Sequence, residues 1–220
     1  MAVSLLRAES ISKTYQDGSK EICALPMLTL TINRGDFLVV TGPSGAGKST
    51  LLNLLCGFDK PSSGSVYFKG ASIAEMNDVE LATLRNTSCG FILQTPHLLY
   101  DRTLLENVLL PFHYSTANHE DAKTRCLELL TYVGLFEMAD RFPSTLSGGE
   151  LQRVVFARAL ACEPEIIFAD EPTGSLDKKR SEQLLLLLQD QITLGRTVVM
   201  VTHDQNAMHF GNRTLQLEKI

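Results

Sequence analysis

The chain opens on two runs in which apolar and polar residues alternate. Leu5 to Tyr15 is a mixed run and Leu28 to Ile32 reads LTLTI, the two-residue period of a half-buried strand. Gln16 to Lys20 (QDGSK) and Asn33-Arg34-Gly35 supply turns, and Pro26 interrupts the early strand region. Phe37 to Thr41 is instead a short β-branched run suited to a buried strand. Beyond it the pattern predicts a first helix over Leu51 to Cys56, stopped near Gly57 with Pro61 shortly after. A strand over Ser65 to Phe68, a helix over Asp78 to Arg85 and a short strand over Gly90 to Leu93 follow.

From Thr95 to about Pro164 the period turns helical, most clearly over Asp121 to Val133 and Gly148 to Cys162. So long a run without a convincing strand predicts an inserted helical subdomain over 95–164. Strands return at Glu165 to Ala169 and Thr197 to Thr202, separated by a helix over Lys179 to Ile192, which makes a βαβ unit of a parallel sheet. Thr214 to Leu217 reads as one last strand. The expectation is one α/β domain over 1–220, with a core from 1–94 and 165–220.

Composition narrows the partners. A formal net charge of -5 and a sequence pI near 5.5 argue against DNA or RNA as the main partner. The five cysteines, Cys23, Cys56, Cys89, Cys126 and Cys162, lie far apart and read as buried free thiols of a reducing compartment. The first ten residues lack the pattern of a secretory signal. The most apolar runs, Leu184 to Leu188 and Thr197 to Val201, are far too short to span a bilayer, so a membrane role implies a partner.

Three motifs carry the chemistry. Gly42-Pro43-Ser44-Gly45-Ala46-Gly47-Lys48-Ser49, followed by Thr50, fits G-x4-G-K-[ST] between a predicted strand and a predicted helix. Its glycines let successive N–H groups face phosphate oxygens, Lys48 reaches the β- and γ-phosphates, and the Ser49 hydroxyl can ligate Mg²⁺. Ile166 to Glu171 ends an apolar strand on two acids. Asp170 is suited to the Mg²⁺ shell and Glu171 to the proton of an attacking water. Leu146-Ser147-Gly148-Gly149-Glu150 starts a predicted helix; read alone it is a capping sequence, with Ser147 as N-cap and Glu150 at the third helical position.

Occurring together in this order, these motifs resemble the ABC ATPase family along essentially the whole chain. The resemblance implies a P-loop NTPase (RecA-like) core, an N-terminal antiparallel β subdomain and an inserted α-helical subdomain. It also implies that Leu146 to Glu150, the signature run, closes over ATP held by the phosphate loop of a second subunit, in a homodimer or pseudo-dimer. Tyr15 resembles the aromatic that stacks on adenine, and Gln94 the glutamine that senses Mg²⁺ and the attacking water. Asp177, in Ser175-Leu176-Asp177, resembles the loop that couples the two sites, and His203 the histidine that contacts the γ-phosphate. ATP and Mg²⁺ are the ligands so implied.

The interval between Lys48 and Asp170, about 120 residues without sustained heptads, differs from the long coiled coil of the repair and chromosome members. Translation-associated members usually carry two cassettes. Leu84-Arg85, Gly90 to Gln94, Leu98-Leu99, Thr103-Leu104, Glu106-Asn107-Val108 and Pro111 are similar to the lipoprotein-release, macrolide-export and cell-division subfamily. That likeness implies an integral membrane permease, driven mechanically, with this chain on the cytoplasmic face of the inner membrane. Tyr100, Leu151 and Pro26 depart from the subfamily pattern, and little chain follows Leu217 to form the regulatory domain common in sugar and metal importers.

Overall fold

A computed structural model describes residues 4–18, 20–115 and 118–219; the predicted Gln16–Lys20 turn includes Ser19, which lies outside them. Two sheets form. The first is antiparallel, in the order β2-β1-β4-β5, from β1 (Ser4–Asp17), β2 (Lys20–Asn33), β4 (Ser63–Phe68) and β5 (Ala71–Ser72). The second, in the order β6-β7-β8-β3-β9, comprises β3 (Phe37–Thr41), β6 (Cys89–Leu93), β7 (Ile166–Asp170), β8 (Thr197–Val201) and β9 (Arg213–Gln216), all paired in parallel.

Strand alternation builds a core on each face of the parallel sheet. Phe37, Val39, Ile167, Ala169, Val198 and Met200 point into one, shared with α3 (Leu104–Leu109), α4 (His119–Tyr132), α5 (Gly148–Ala159) and α6 (Lys178–Thr193). Leu38, Val40, Ile166, Phe168, Val199 and Val201 point into the other, shared with β1, β2, α1 (Lys48–Leu55) and α2 (Asp78–Ser88). Three of the five strands, β3, β7 and β8, are thus buried on both sides, as their unbroken apolar runs require.

Pro26 does not break its strand, since β2 is an edge of the antiparallel sheet and Pro26 is exposed beside a register shift between Leu25 and Leu28. The first helix starts at Lys48 rather than Leu51, because the end of the phosphate loop supplies its first turn. Between Thr95 and Pro164 the described residues hold no strand, but the helical run is broken into α3, α4 and α5 joined by short 3-10 turns. Cys23 corrects the expectation of buried thiols, being exposed, and Cys162 is only half-buried; Cys56, Cys89 and Cys126 are buried, and burial pushes their thiols up to about 12.

Candidate functional site

Parallel pairing brings four strand ends to one edge. Val40 is opposite Val201, Val201 is opposite Asp170, and Asp170 is opposite Leu93. The residues that follow those ends, Gly42, His203, Glu171 and Gln94, therefore emerge together at the carboxyl edge of the sheet, where open α/β folds bind ligands.

After β3 the chain curls through Gly42, Gly45 and Gly47, with φ of 149, 81 and 86°. A Cβ at Gly42 would be driven into the Leu217 carbonyl and one at Gly47 into that of Ala24, so no other residue fits. The loop walls a cavity of about 460 Å³, to which Ser44, Lys48, Ser49, Thr50 and Glu171 contribute. Pro43 is exposed and Ala46 is buried under the loop. The Lys48 ammonium folds back over the loop, donating 2.9 Å to the Gly42 carbonyl and 3.0 Å to that of Pro43. A phosphate entering the cavity meets α1's free N–H groups and this cation.

Asp170 lies beside Ser49. Burial pushes its carboxyl above the usual carboxylate range; the Ser49 side chain and Lys48 draw it down and Glu171 raises it further. Its Oδ1 is buried with no hydrogen-bond partner. A buried, unsatisfied carboxylate oxygen next to a hydroxyl suits a hard divalent cation that takes its other ligands from phosphates and water, so these residues fit Mg²⁺.

Glu171 has a φ of 46°, rare for a residue with a side chain, and its N–H donates to the Val201 carbonyl at 2.9 Å. This bend turns its carboxylate toward His203, whose Nδ1 lies 2.8 Å from Oε2. The His203 ring is exposed while the Glu171 side chain is mostly covered. Gln94 Nε2 lies 3.2 Å from the point where a Cβ on Gly174 would stand, a point 3.4 Å from the Glu171 carbonyl oxygen. Neither Gln94 nor His203 lines the phosphate-loop cavity among the described residues.

Tyr15 is held in place from two sides. Its hydroxyl donates 2.7 Å to Asp59 Oδ2, and Lys13 Nζ, 4.9 Å from the ring centre, donates 2.6 Å to Asp59 Oδ1. Lys13 and Asp59 were not singled out in the sequence, where a lysine and an acid 46 residues apart carry no pairing signal. Ile22, Cys23 and Ala24 also line the cavity unannounced, because they arrive by the approach of β2 to Gly47 rather than by phosphate chemistry.

None of the residues of the Leu146–Glu150 run lines that cavity. Ser147 caps α5, and the Glu150 carboxylate accepts from the Ser147 N–H at 2.7 Å and its hydroxyl at 2.6 Å, which holds it below the usual range. Gly148 is exposed with open space where a Cβ would go, and Gly149 is covered by the Arg180 side chain. Asp177 caps α6, accepting from the Arg180 N–H at 2.9 Å.

A family profile described as ABC transporter matches residues 25–174. The lipoprotein-releasing system ATP-binding protein LolD of Alcanivorax borkumensis is 45% identical over 202 residues, 91% of this chain and 89% of its own. An uncharacterised ABC transporter ATP-binding protein of Bacillus subtilis, YvrO, is 43% identical over 211 residues, 96% of this chain and 92% of its own. The macrolide export ATP-binding/permease protein MacB of a Shewanella species is 40% identical over 99% of this chain, which spans only 34% of that longer protein. Among solved structures, the dimeric post-hydrolysis state of the ATP-binding cassette MJ0796 bound to ADP and Pi superposes with a TM-score of 0.90, at 41% identity over 98% of this chain and 96% of that one. Likeness of this extent, running nearly end to end in several relatives, leaves one assignment: the chain belongs to the ABC transporter family, as an ATP-binding cassette.

Proposed function

We propose that this cassette hydrolyses ATP in a site built from two copies, or from this chain and a like partner, and that closing the pair moves a membrane permease. The observation that carries the reading is the separation of two anion-binding helix starts. The phosphate loop has Asp170 and Glu171 beside it, whereas the signature run at Ser147 to Glu150 presents an exposed Gly148 that its own nucleotide cavity does not use. A second chain turned head to tail is the simplest way to employ both. The MJ0796 dimer supports this arrangement, and its ADP and Pi support hydrolysis.

In this scheme the N–H groups of Gly45 to Thr50 and Lys48 hold the phosphates, while Tyr15, fixed by Asp59 and Lys13, offers its ring to the adenine. Ser49 and Asp170 hold Mg²⁺, with Gln94 joining them when its loop moves in. When bound, the metal neutralises charge on the phosphate oxygens. Glu171 accepts the proton of the attacking water, and His203, oriented by the same carboxylate, faces the γ-phosphate. Asp177 lies on the surface turned toward the other chain and couples the two sites.

We read 95–164 as a helical subdomain against a core of 1–94 and 165–220. A groove of about 580 Å³ is lined by Asp78, Val79, Ala82, Thr83, Arg85 and Asn86 of α2, by Phe91, and by the exposed Tyr114 of 95–164, while Leu99 and Tyr100 are exposed on the loop after Gln94. An amphipathic permease helix suits this mixed surface. The names of the LolD and MacB relatives, a lipoprotein-releasing system and a macrolide exporter, favour an export or release system. No helix among the described residues is long and apolar enough to cross a membrane, so attachment to the cytoplasmic face of the inner membrane runs through the permease.

Replacing Glu171 by Gln is expected to cut turnover by roughly 10²-fold or more while ATP binding persists. Steady-state hydrolysis and nucleotide titration of the purified chain check this; a wild-type rate removes Glu171 from its role.

A further inference from the structure

The middle of α5 carries a glutamine that the nucleotide chemistry leaves unused. Gln152 is 1% exposed. Its Nε2 donates 3.1 Å to the Leu93 carbonyl and 3.0 Å to the Pro172 carbonyl. Leu93 immediately precedes Gln94, and Pro172 immediately follows Glu171. One carboxamide therefore grips the backbone beside both residues assigned to the attacking water.

The other half of that carboxamide is idle: Oε1 is buried with no hydrogen-bond partner. An orphaned acceptor in a dry interior costs free energy, so what glutamine supplies here is its pair of donors to the Leu93 and Pro172 carbonyls, partners that an apolar side chain of equal volume would withdraw. The same helix holds the Gln94 loop a second time. Arg158 donates 2.9 Å to the His97 carbonyl and 3.0 Å to that of Pro96, close to where the chain passes through a φ of 45° at His97. The first part of the loop after β6 is thereby fastened at Leu93 and again at Pro96 and His97 to the helix that begins at Gly148.

We propose that Gln152 is a positioning residue that carries the placement of the signature helix to Gln94 and Glu171 of its own chain. Seating the run Ser147 to Glu150 on the other chain's nucleotide then sets the water-handling groups of this chain, so each site reports its occupancy to the other through one side chain. This rests on the two-chain reading above. Gln152 touches neither nucleotide nor water and acts through the Leu93 and Pro172 carbonyls.

The alternative, that Gln152 serves only the signature run, predicts a defect in closure over the opposite nucleotide. The two separate experimentally. Gln152→Met keeps the length and apolar volume of the side chain and removes both donors. Turnover and KM are measured in the otherwise unaltered chain, and ATP-driven dimerisation by sedimentation in Glu171→Gln with and without the Met substitution. We expect kcat to fall at least about tenfold, with KM within roughly twofold of the parent and the ATP-induced dimer fraction unchanged. Unchanged kcat overturns the proposal, as does a loss of kcat matched by a loss of dimer. If Met prevents folding, Gln152→Asn keeps the amide but withdraws it by one methylene, and is read the same way. Should Glu171→Gln remain monomeric with ATP, the two-chain reading fails and takes the reporting between sites with it. A dimerising Glu171→Gln with full turnover in Gln152→Met overturns the positioning role alone.

Discussion

Asp170 and Glu171 are adjacent acids with opposite settings, and the difference is where each side chain ends. Asp170 continues the strand and ends half-buried with one oxygen unsatisfied, whereas the left-handed φ of Glu171 swings its carboxylate out to His203. Because burial raises the Asp170 pKa in the fold, its ionised form is less favourable there than in the unfolded chain. In metal-free protein that destabilisation grows as pH rises from the ordinary carboxylate range through the raised folded value. Asp170→Asn is therefore expected to melt higher at neutral pH without divalent cation, by about 2–4 °C for each kcal/mol relieved in a chain of this size. The gain should shrink as the pH falls, and Mg²⁺-dependent turnover should be lost. Thermal melts across pH and an ATPase assay check both; a lower melting temperature at neutral pH contradicts the assigned strain. At this scale the sequence was informative wherever chemistry resides in residue type, as at Lys48, Ser49, Asp170 and Glu171. It placed Gln152 only in the continuation of the signature run and gave it no role, because its importance lies in two carbonyls, Leu93 and Pro172, that are 59 and 20 residues away.

Among the elements, β1 and the turn after α1 cooperate to fix one ring. Burial alone would raise the Asp59 carboxyl, but hydrogen bonds from Lys13 and Tyr15 hold it below the usual range, so it stays ionised at neutral pH and keeps both partners. Asp59→Ala should free Tyr15 and weaken ATP binding by about tenfold, the loss of roughly 1.4 kcal/mol of preorganised stacking, with kcat at saturating ATP little changed. Nucleotide titration against KM and kcat tests this, and unaltered affinity removes Tyr15 from the adenine site. Element boundaries followed the apolar periods within two residues in β1 and α6, whereas β2 begins at Lys20, eight residues before the Leu28–Ile32 alternation that announced it. Within the expected helical run, α3 was not singled out although Thr103-Leu104-Leu105-Glu106 is a capping box, and the structure uses it: Thr103 N–H donates to Glu106 at 2.7 Å and Glu106 N–H to the Thr103 hydroxyl at 3.2 Å. Six residues are too few for a 3.6-residue period to stand out. β5, of two residues, carries no period at all.

For the whole molecule, the fold follows from one parallel sheet whose two faces are both apolar, which forces helices onto one side and the antiparallel sheet with α1 and α2 onto the other. The strand ends then converge whatever the loops do, which brings Gly42, Gln94, Glu171 and His203 to one edge of the sheet, although neither Gln94 nor His203 lines the phosphate-loop cavity among the described residues. The relation between the phosphate loop and the signature run belongs to a second chain and depends on surfaces that no period encodes. Mixing two disabled chains tests it most directly. Lys48→Ala removes the phosphate cation, and Gly148→Asp sets a carboxylate on the signature helix start, at an exposed position where a Cβ meets nothing within 4 Å. Each variant alone should hydrolyse ATP at a small fraction of the wild-type rate. Mixed, they form a pair in which the intact phosphate loop of one chain lies under the intact signature run of the other, and turnover should return. A mixture as inactive as its separate components, with both chains folded, contradicts the account.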